Sequence, residues 1–178
     1  MGMIRSVLSL IHPVRWVYVA LAASLGLLAA AHAFETFGHM PPCELCLKQR
    51  ELYWLAATVA LGAIGAMRFL PREQVARLIC WALAAIFLGE MGLAAYHAGV
   101  EWKWWPGPAA CTGGKAHISL DDLKAFANGK SFAIVRCDQP AFRVLGISMA
   151  GFNVLIAAKL AILSVLAARR PIEDGDAR

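Results

Sequence analysis

Four apolar stretches divide the chain: Val17 to Phe34, Leu52 to Met67, Leu78 to Tyr96 and Val144 to Ala168. Each comes close to or exceeds the roughly 20 helical residues that cross a hydrocarbon core. The second is the shortest, and Tyr53 and Trp54 at its start are expected as interfacial anchors. A backbone in lipid must satisfy its own hydrogen bonds, and the period-2 alternation of barrel strands is absent, so each stretch is predicted as an α-helix. The expected fold class is all-α: an integral membrane four-helix bundle forming one domain over 1–178, with spans at about 14–34, 50–70, 77–97 and 143–168. Loops at about 35–49 and 98–142 join them on one side.

Composition agrees, with 60% of the 178 residues hydrophobic and 16% charged, which excludes an ordinary soluble domain. Basic residues set the orientation. Arg5 and Arg15 precede the first span, Arg68, Arg72 and Arg77 separate the second from the third, and Arg169 and Arg170 follow the fourth. Both termini are therefore expected in the cytoplasm and both long loops outside. This arrangement accounts for the net charge of +5, and no aromatic-interleaved basic patch points to nucleic acid. Arg5, an apolar core and Ala31-His32-Ala33 imitate a cleavable signal, but three more spans follow, and the first stretch is expected to stay as a span.

The five cysteines are then split by the membrane. Cys80, beside Arg77 at the cytoplasmic end, reads as a small buried hydrophobe. Cys43, Cys46, Cys111 and Cys137 fall on the oxidising side, where they could form a structural framework with three possible pairings. A disulfide between Cys43 and Cys46 would close so small a loop that it suits exchange better than stapling. Zinc is the other alternative, but the long segment between Cys111 and Cys137 does not fit two close ligand pairs, and no metal is expected. Pro41 and Pro42 favour an abrupt helix start, whose free N–H groups stabilise a thiolate. Arg50, four residues after Cys46, would favour the Cys46 thiolate further; Glu44 opposes it. The plainer role for Arg50 is an anchor to lipid phosphate.

Cys43-Glu44-Leu45-Cys46 followed by Gln49 and Arg50, then a second spaced cysteine pair before the last span, resembles the DsbB family of quinone-dependent disulfide-forming enzymes. Further matches are Trp105-Pro106-Gly107-Pro108 before Cys111 and Leu145-Gly146-Ile147-Ser148-Met149 after Cys137. The resemblance implies a bacterial inner-membrane thiol:quinone oxidoreductase that reoxidises a periplasmic DsbA-type thiol oxidase. The partner would attack Cys111, Cys137 would leave and attack Cys43, and Cys46, freed as thiolate beside Arg50, would pass electrons to ubiquinone or menaquinone. DsbA is itself a strong oxidant, so a membrane acceptor is needed to drive the relay. Arg50, Cys46, Met149 and His97 are the implied quinone-binding residues; interfacial polarity for His97 and core packing for Met149 are their ordinary roles. Two rivals stand beside this reading. A vitamin K epoxide reductase-like enzyme would carry its quinone-proximal pair late in the chain, whereas here the close pair comes first. A non-enzymatic, disulfide-stabilised scaffold would keep its cysteines oxidised and inert.

Glu90 lies inside the third span, where an ionisable group is costly. It is expected either to line a route for the protons of quinol formation or to be bonded across the bundle. Lys159 sits towards the cytoplasmic end and can snorkel. In the second outer loop, Trp102, Trp104 and Trp105 suit the headgroup region, Ser119 to Gly129 is predicted as a short interfacial helix, and the tail after Ala168 is expected to be disordered.

Overall fold

The computed structural model describes residues 11–108, 136–140 and 142–171. The predicted surface helix from Ser119 to Gly129, Cys111 and the tail beyond Pro171 lie outside these described residues. Four helices are present among them: α1 (Pro13–Thr36), α2 (Glu44–Ala66), α3 (Arg72–Glu101) and α4 (Met149–Ala168). Local chemistry sets their ends. Pro13 occupies the first turn of α1, where a missing N–H costs nothing, and Pro71 directly precedes α3. Ser148 caps α4, its Oγ accepting from the Gly151 N–H at 3.1 Å. Helices α1, α3 and α4 are long and apolar enough to cross a membrane. With 23 residues, α2 is comparable in length, but Glu44, Lys48, Arg50 and Glu51 crowd its first two turns, and its apolar stretch begins after Glu51.

Three expectations need correction. The fourth helix starts five residues later than Val144, because Arg143–Val144 (β1) and Ile147–Ser148 (β2) pair antiparallel with Val144 opposite Ile147. The two residues between them, Leu145 at φ 53° and Gly146 at φ 81°, are both left-handed, as a tight primed hairpin turn requires, and that backbone cannot continue into a helix. The fold is therefore helical with one small hairpin. The second helix stops at Ala66 and the chain turns through Met67 to Leu70 before Pro71. Tyr53 is no interfacial anchor: it is buried, packed 6.4 Å from the Phe87 ring centroid, with its hydroxyl bonded to Asn153.

Small residues dominate the inward positions, among them Ala20, Ser24, Ala56, Ala60, Ala63, Ala76, Ala157 and Ala161, and they let helix backbones approach closely. Trp16, Leu83 and Phe87 fill the remaining space. Leu61, Leu78, Leu155 and Ile162 face outward, as lipid-facing positions would. Polar contacts settle which ends lie together. Cys80 is wholly buried with its sulfur 3.7 Å from the Pro13 carbonyl, joining the starts of α1 and α3, and the Arg77 Nε donates to the Ala168 carbonyl at the close of α4. The basic residues Arg15, Arg72, Arg77 and Arg169 thus gather at one end of the bundle. Cys43 and Cys46 stand at the other.

Gly99 ends this layout on α3: a side chain there would strike the Trp105 ring, which folds back over the helix and donates from Nε1 to the Tyr96 carbonyl at 3.0 Å. Towards the basic end, the Trp16 Nε1 donates to Ser164 Oγ at 2.9 Å, tying α1 to α4 through an otherwise apolar interior. Ser164→Ala would leave that indole N–H without its acceptor. We expect a loss of about 1 kcal/mol in stability, read from thermal unfolding in detergent. A melting profile unchanged from wild type would show that the indole finds another acceptor.

Candidate redox site

The site begins where two prolines deliver the chain into α2. Cys43 is the N-cap residue with extended backbone (φ −77°, ψ 170°), and its own sulfur accepts from the Cys46 N–H at 3.3 Å. A thiol thus performs the capping that serine or aspartate performs elsewhere. One turn brings the Cys46 sulfur to 3.0 Å from that of Cys43, which donates to it. The two sulfurs share the burden of one proton. The hydrogen bond from Cys43, first among the causes, pulls the Cys46 thiol below the ordinary range against the opposing effect of burial, with a bond from the Cys43 backbone and the Arg50 charge adding to it. The same bond, together with burial, pushes Cys43 up, so Cys46 is the sulfur of the pair that gives up its proton first.

Arg50 does not stand alone. Its Nη1 donates to Glu35 Oε2 at 2.5 Å and its Nη2 to the Ala31 carbonyl at 3.1 Å, which fastens the start of α2 to the last turns of α1. His97, on α3, places Nε2 at 3.7 Å from the Cys43 sulfur and 3.9 Å from Glu101 Oε1, and the ring also hydrogen-bonds the Cys137 backbone. Its Nδ1 faces Gln49 Nε2 at 3.0 Å. Cys137 is disulfide-bonded, to a partner outside the described residues, and packs in one buried cluster with Cys43, Leu45 and Val100. Beside it, exposed Arg136 holds Asp138 in a two-pronged pair at 2.9 and 2.8 Å, and this keeps the Asp138 carboxyl below its usual range.

Cys43, Cys46, Arg50 and His97 all line one cavity of about 320 Å³, together with Leu28, Phe34, Phe152 and Ile156 from α1 and α4 and with Met149 at the start of α4. Of the sequence-predicted site residues within the described residues, Cys43, Cys46, Arg50, His97 and Met149 thus line the cavity, and Cys137 packs beside it against Cys43. A family profile described as "Disulfide bond formation protein DsbB" matches residues 13–167. The chain belongs to the DsbB family. It is 31% identical over 162 residues, 86% of this chain and 92% of the relative, to a disulfide bond formation protein B from Dechloromonas aromatica (strain RCB). It is 26% identical over 141 residues, 78% of this chain and 77% of the relative, to the uncharacterized protein RP370 of Rickettsia prowazekii (strain Madrid E). No solved structure gives a significant match.

DsbB membership makes the chain an inner-membrane oxidoreductase of disulfide bond formation, which fits a close pair of cysteines lining an apolar cavity. Several residues here escaped the sequence. Glu35, Asn153 and Glu101 carry no motif; only their positions across the bundle reveal them. Sulfurs 43 and 46 and a ring nitrogen of His97 also lie within 4.8 Å of one another, close enough for a thiophilic cation to bridge the reduced pair.

Because donation from Cys43 is the leading cause of the Cys46 thiolate, Cys43→Ala should move the midpoint of Cys46 alkylation to higher pH, and Arg50→Ala should move it in the same direction by less. Rates of iodoacetamide labelling across a pH series measure both. Equal midpoints in wild type and Cys43→Ala would show that the shared proton is not what sets the reactivity of Cys46.

Proposed function

We propose that this protein oxidises a periplasmic DsbA-type dithiol at the expense of a membrane quinone, through a four-span bundle whose cysteine pairs face the periplasm and whose termini face the cytoplasm. The observation that carries the reading is the convergence of Cys46, Arg50 and His97 on one apolar-walled cavity between α1 and α4. The cavity fits a quinone ring: aliphatic and aromatic walls for its faces, a guanidinium for a carbonyl oxygen, and a thiolate at its edge. Ubiquinone or menaquinone would supply the oxidising power, taking two electrons and two protons. Arg50, Cys46, His97 and Met149 would hold it.

This chain's own residues do the rest. Reduced partner attacks Cys111, which breaks its bond to Cys137; the Cys137 thiolate attacks Cys43, and the Cys43–Cys46 bond breaks with its electron pair on Cys46. The buried cluster of Cys137 with Cys43 supports that transfer. Arg50 steadies negative charge on Cys46 and on the oxygen beside it, while Glu35 holds the guanidinium in place. The partner's second thiol then displaces Cys111, whose thiolate re-forms the bond to Cys137 and releases Cys43, and Cys43 closes on Cys46 as the pair gives up two electrons; net, one dithiol becomes one disulfide as one quinone becomes quinol. The basic end of the bundle, with reduced Cys80, supports a cytoplasmic assignment for that side.

Purified protein given reduced DsbA-type oxidase and a soluble quinone should reduce the quinone, followed by its absorbance. Cys46→Ser should abolish turnover, and Arg50→Ala should lower it about 100-fold. Cysteines that stay oxidised and inert under these conditions would establish the scaffold reading instead; full activity in Arg50→Ala would remove the role given to that residue.

A further inference from the structure

Gln49, Tyr53 and Asn153 line the same cavity, and with Glu90 beyond its wall they form a set of polar side chains that the electron relay does not use. At its deep end Glu90 is fully buried, with Oε1 accepting from Asn153 Nδ2 at 2.5 Å and Oε2 without a hydrogen-bond partner among the described residues. Asn153 Nδ2 also donates to Gln49 Oε1 at 2.8 Å, and Asn153 Oδ1 accepts from the Tyr53 hydroxyl at 2.6 Å. Gln49 then turns its nitrogen to His97 Nδ1. The chain runs from the middle of the bundle to the cysteine pair.

Amide orientations follow from the network they serve, so the chain can be directed from its outer end. Cys43 gives its proton towards Cys46 and turns lone pairs to His97 Nε2, a carboxyl oxygen of Glu101 stands 3.9 Å from the same nitrogen, and the Cys137 backbone also bonds the ring. The sulfur and the carboxyl oxygen are acceptors facing Nε2, and on that count Nε2 carries the hydrogen and Nδ1 is bare. A bare Nδ1 requires Gln49 to present its NH2 group. That leaves Gln49 Oε1 facing Asn153, which must answer with its own NH2 group, and the remaining Asn153 oxygen meets a hydroxyl. The second amide hydrogen of Asn153 goes to Glu90. Read from either end, the donors and acceptors alternate without conflict.

We propose that Gln49 and Asn153, anchored on Glu90 and Tyr53, are positioning residues that lock His97 in the tautomer with its proton on Nε2, so that the ring serves Cys43 as a donor and not as a base. The proposal rests on the reading of Cys43 as the sulfur joined to Cys137 during turnover. It acts when that link is resolved: an incoming thiolate bonds to the Cys137 sulfur, the Cys43–Cys137 bond breaks, and the electron pair leaves on Cys43. The Nε2–H of His97 stabilises the departing thiolate and keeps its own proton.

Protein labelled with ¹⁵N-histidine in detergent reports both ring nitrogens of His97, assigned by the signal lost in His97→Asn. Wild type should show a protonated Nε2 and a bare Nδ1. Gln49→Glu, which keeps the shape but offers only acceptors, should place a proton on Nδ1. In a Cys46→Ser background, Asn153→Leu should slow alkylation of Cys43 about 10-fold through loss of the donor to its thiolate. A wild-type ring protonated on Nδ1, or a Gln49→Glu spectrum identical to wild type, would overturn the proposal, and the wild-type spectrum decides even if a variant fails to fold. The spectrum needs neither quinone nor partner. A protein inactive towards quinone would therefore sink the proposed function while the tautomer was still read.

Discussion

A polar side chain inside an apolar bundle has no water to turn to and must be satisfied by its neighbours. Asn153 is where this constraint is concentrated: it takes a hydrogen bond from Tyr53 on α2 and gives one each to Gln49 on α2 and Glu90 on α3, from its own place on α4. Three helices are fixed in rotation and depth by one amide. Turning α2 by a single residue, about 100° at 3.6 residues per turn, would carry Gln49 and Tyr53 away together and leave Asn153 with Glu90 alone. Glu90 and His97 are seven residues apart on α3, two turns or about 10 Å, so the network spans the distance between the bundle's middle and its sulfur end. Cys43 reaches His97 because α2 is held in that register.

The sequence made the helices legible and left the inward faces illegible, for one physical reason. In a soluble bundle the outer face is polar, and the 3.6-residue rhythm marks what is buried. Here Leu61, Leu155 and Ile162 point outward while Ala60, Ala157 and Ala161 point in, so both faces are apolar and the rhythm is nearly erased. The length of the stretches therefore located the helices, while pairing between helices decided which residues meet. Glu90 could be singled out because an acid at that depth is costly, whereas Tyr53 reads as an interfacial anchor and nothing in the sequence marks Asn153. The cysteines and Arg50 are legible from spacing and charge, and His97 and Met149 from the family resemblance alone. The partners that hold Arg50 and His97 are not: Gln49 stands in the motif without a role, and Glu35 and Asn153 acquire meaning only across helix boundaries. The late start of α4 has a local cause, two consecutive left-handed residues, one of them the bulky Leu145 that an apolar count places inside a helix.

Charge at the site is arranged so that no single group is left exposed to the apolar wall. Arg50 is shared between the Glu35 carboxylate and the field at Cys46, so the guanidinium is already held when negative charge moves between sulfur and cavity. A free arginine at the same position would have to give up its hydration and its rotamer freedom on each turnover; one clamped by Glu35 and the Ala31 carbonyl has already done so on folding. The same clamp closes α1 against α2 and forms one wall of the cavity, so the electrostatics and the shape of the site have a common origin.

The contrast between Cys46 and Cys80 shows why residue type alone does not make a redox centre. Both sit in helices beside an arginine, but their sulfurs meet opposite kinds of neighbour. Cys80, wholly buried, has the Pro13 carbonyl at 3.7 Å, an acceptor that suits a thiol with its proton in place and would repel a thiolate. Cys46 receives the Cys43 S–H, lies in the first turn of a helix with amides to spare, and has a positive charge one turn on. Donors converge on one sulfur and an acceptor faces the other. It follows that moving a cysteine pair along α2 by a single position would preserve the motif spacing yet lose the chemistry, because the capping geometry at Cys43 and the reach of Arg50 and His97 belong to those positions alone.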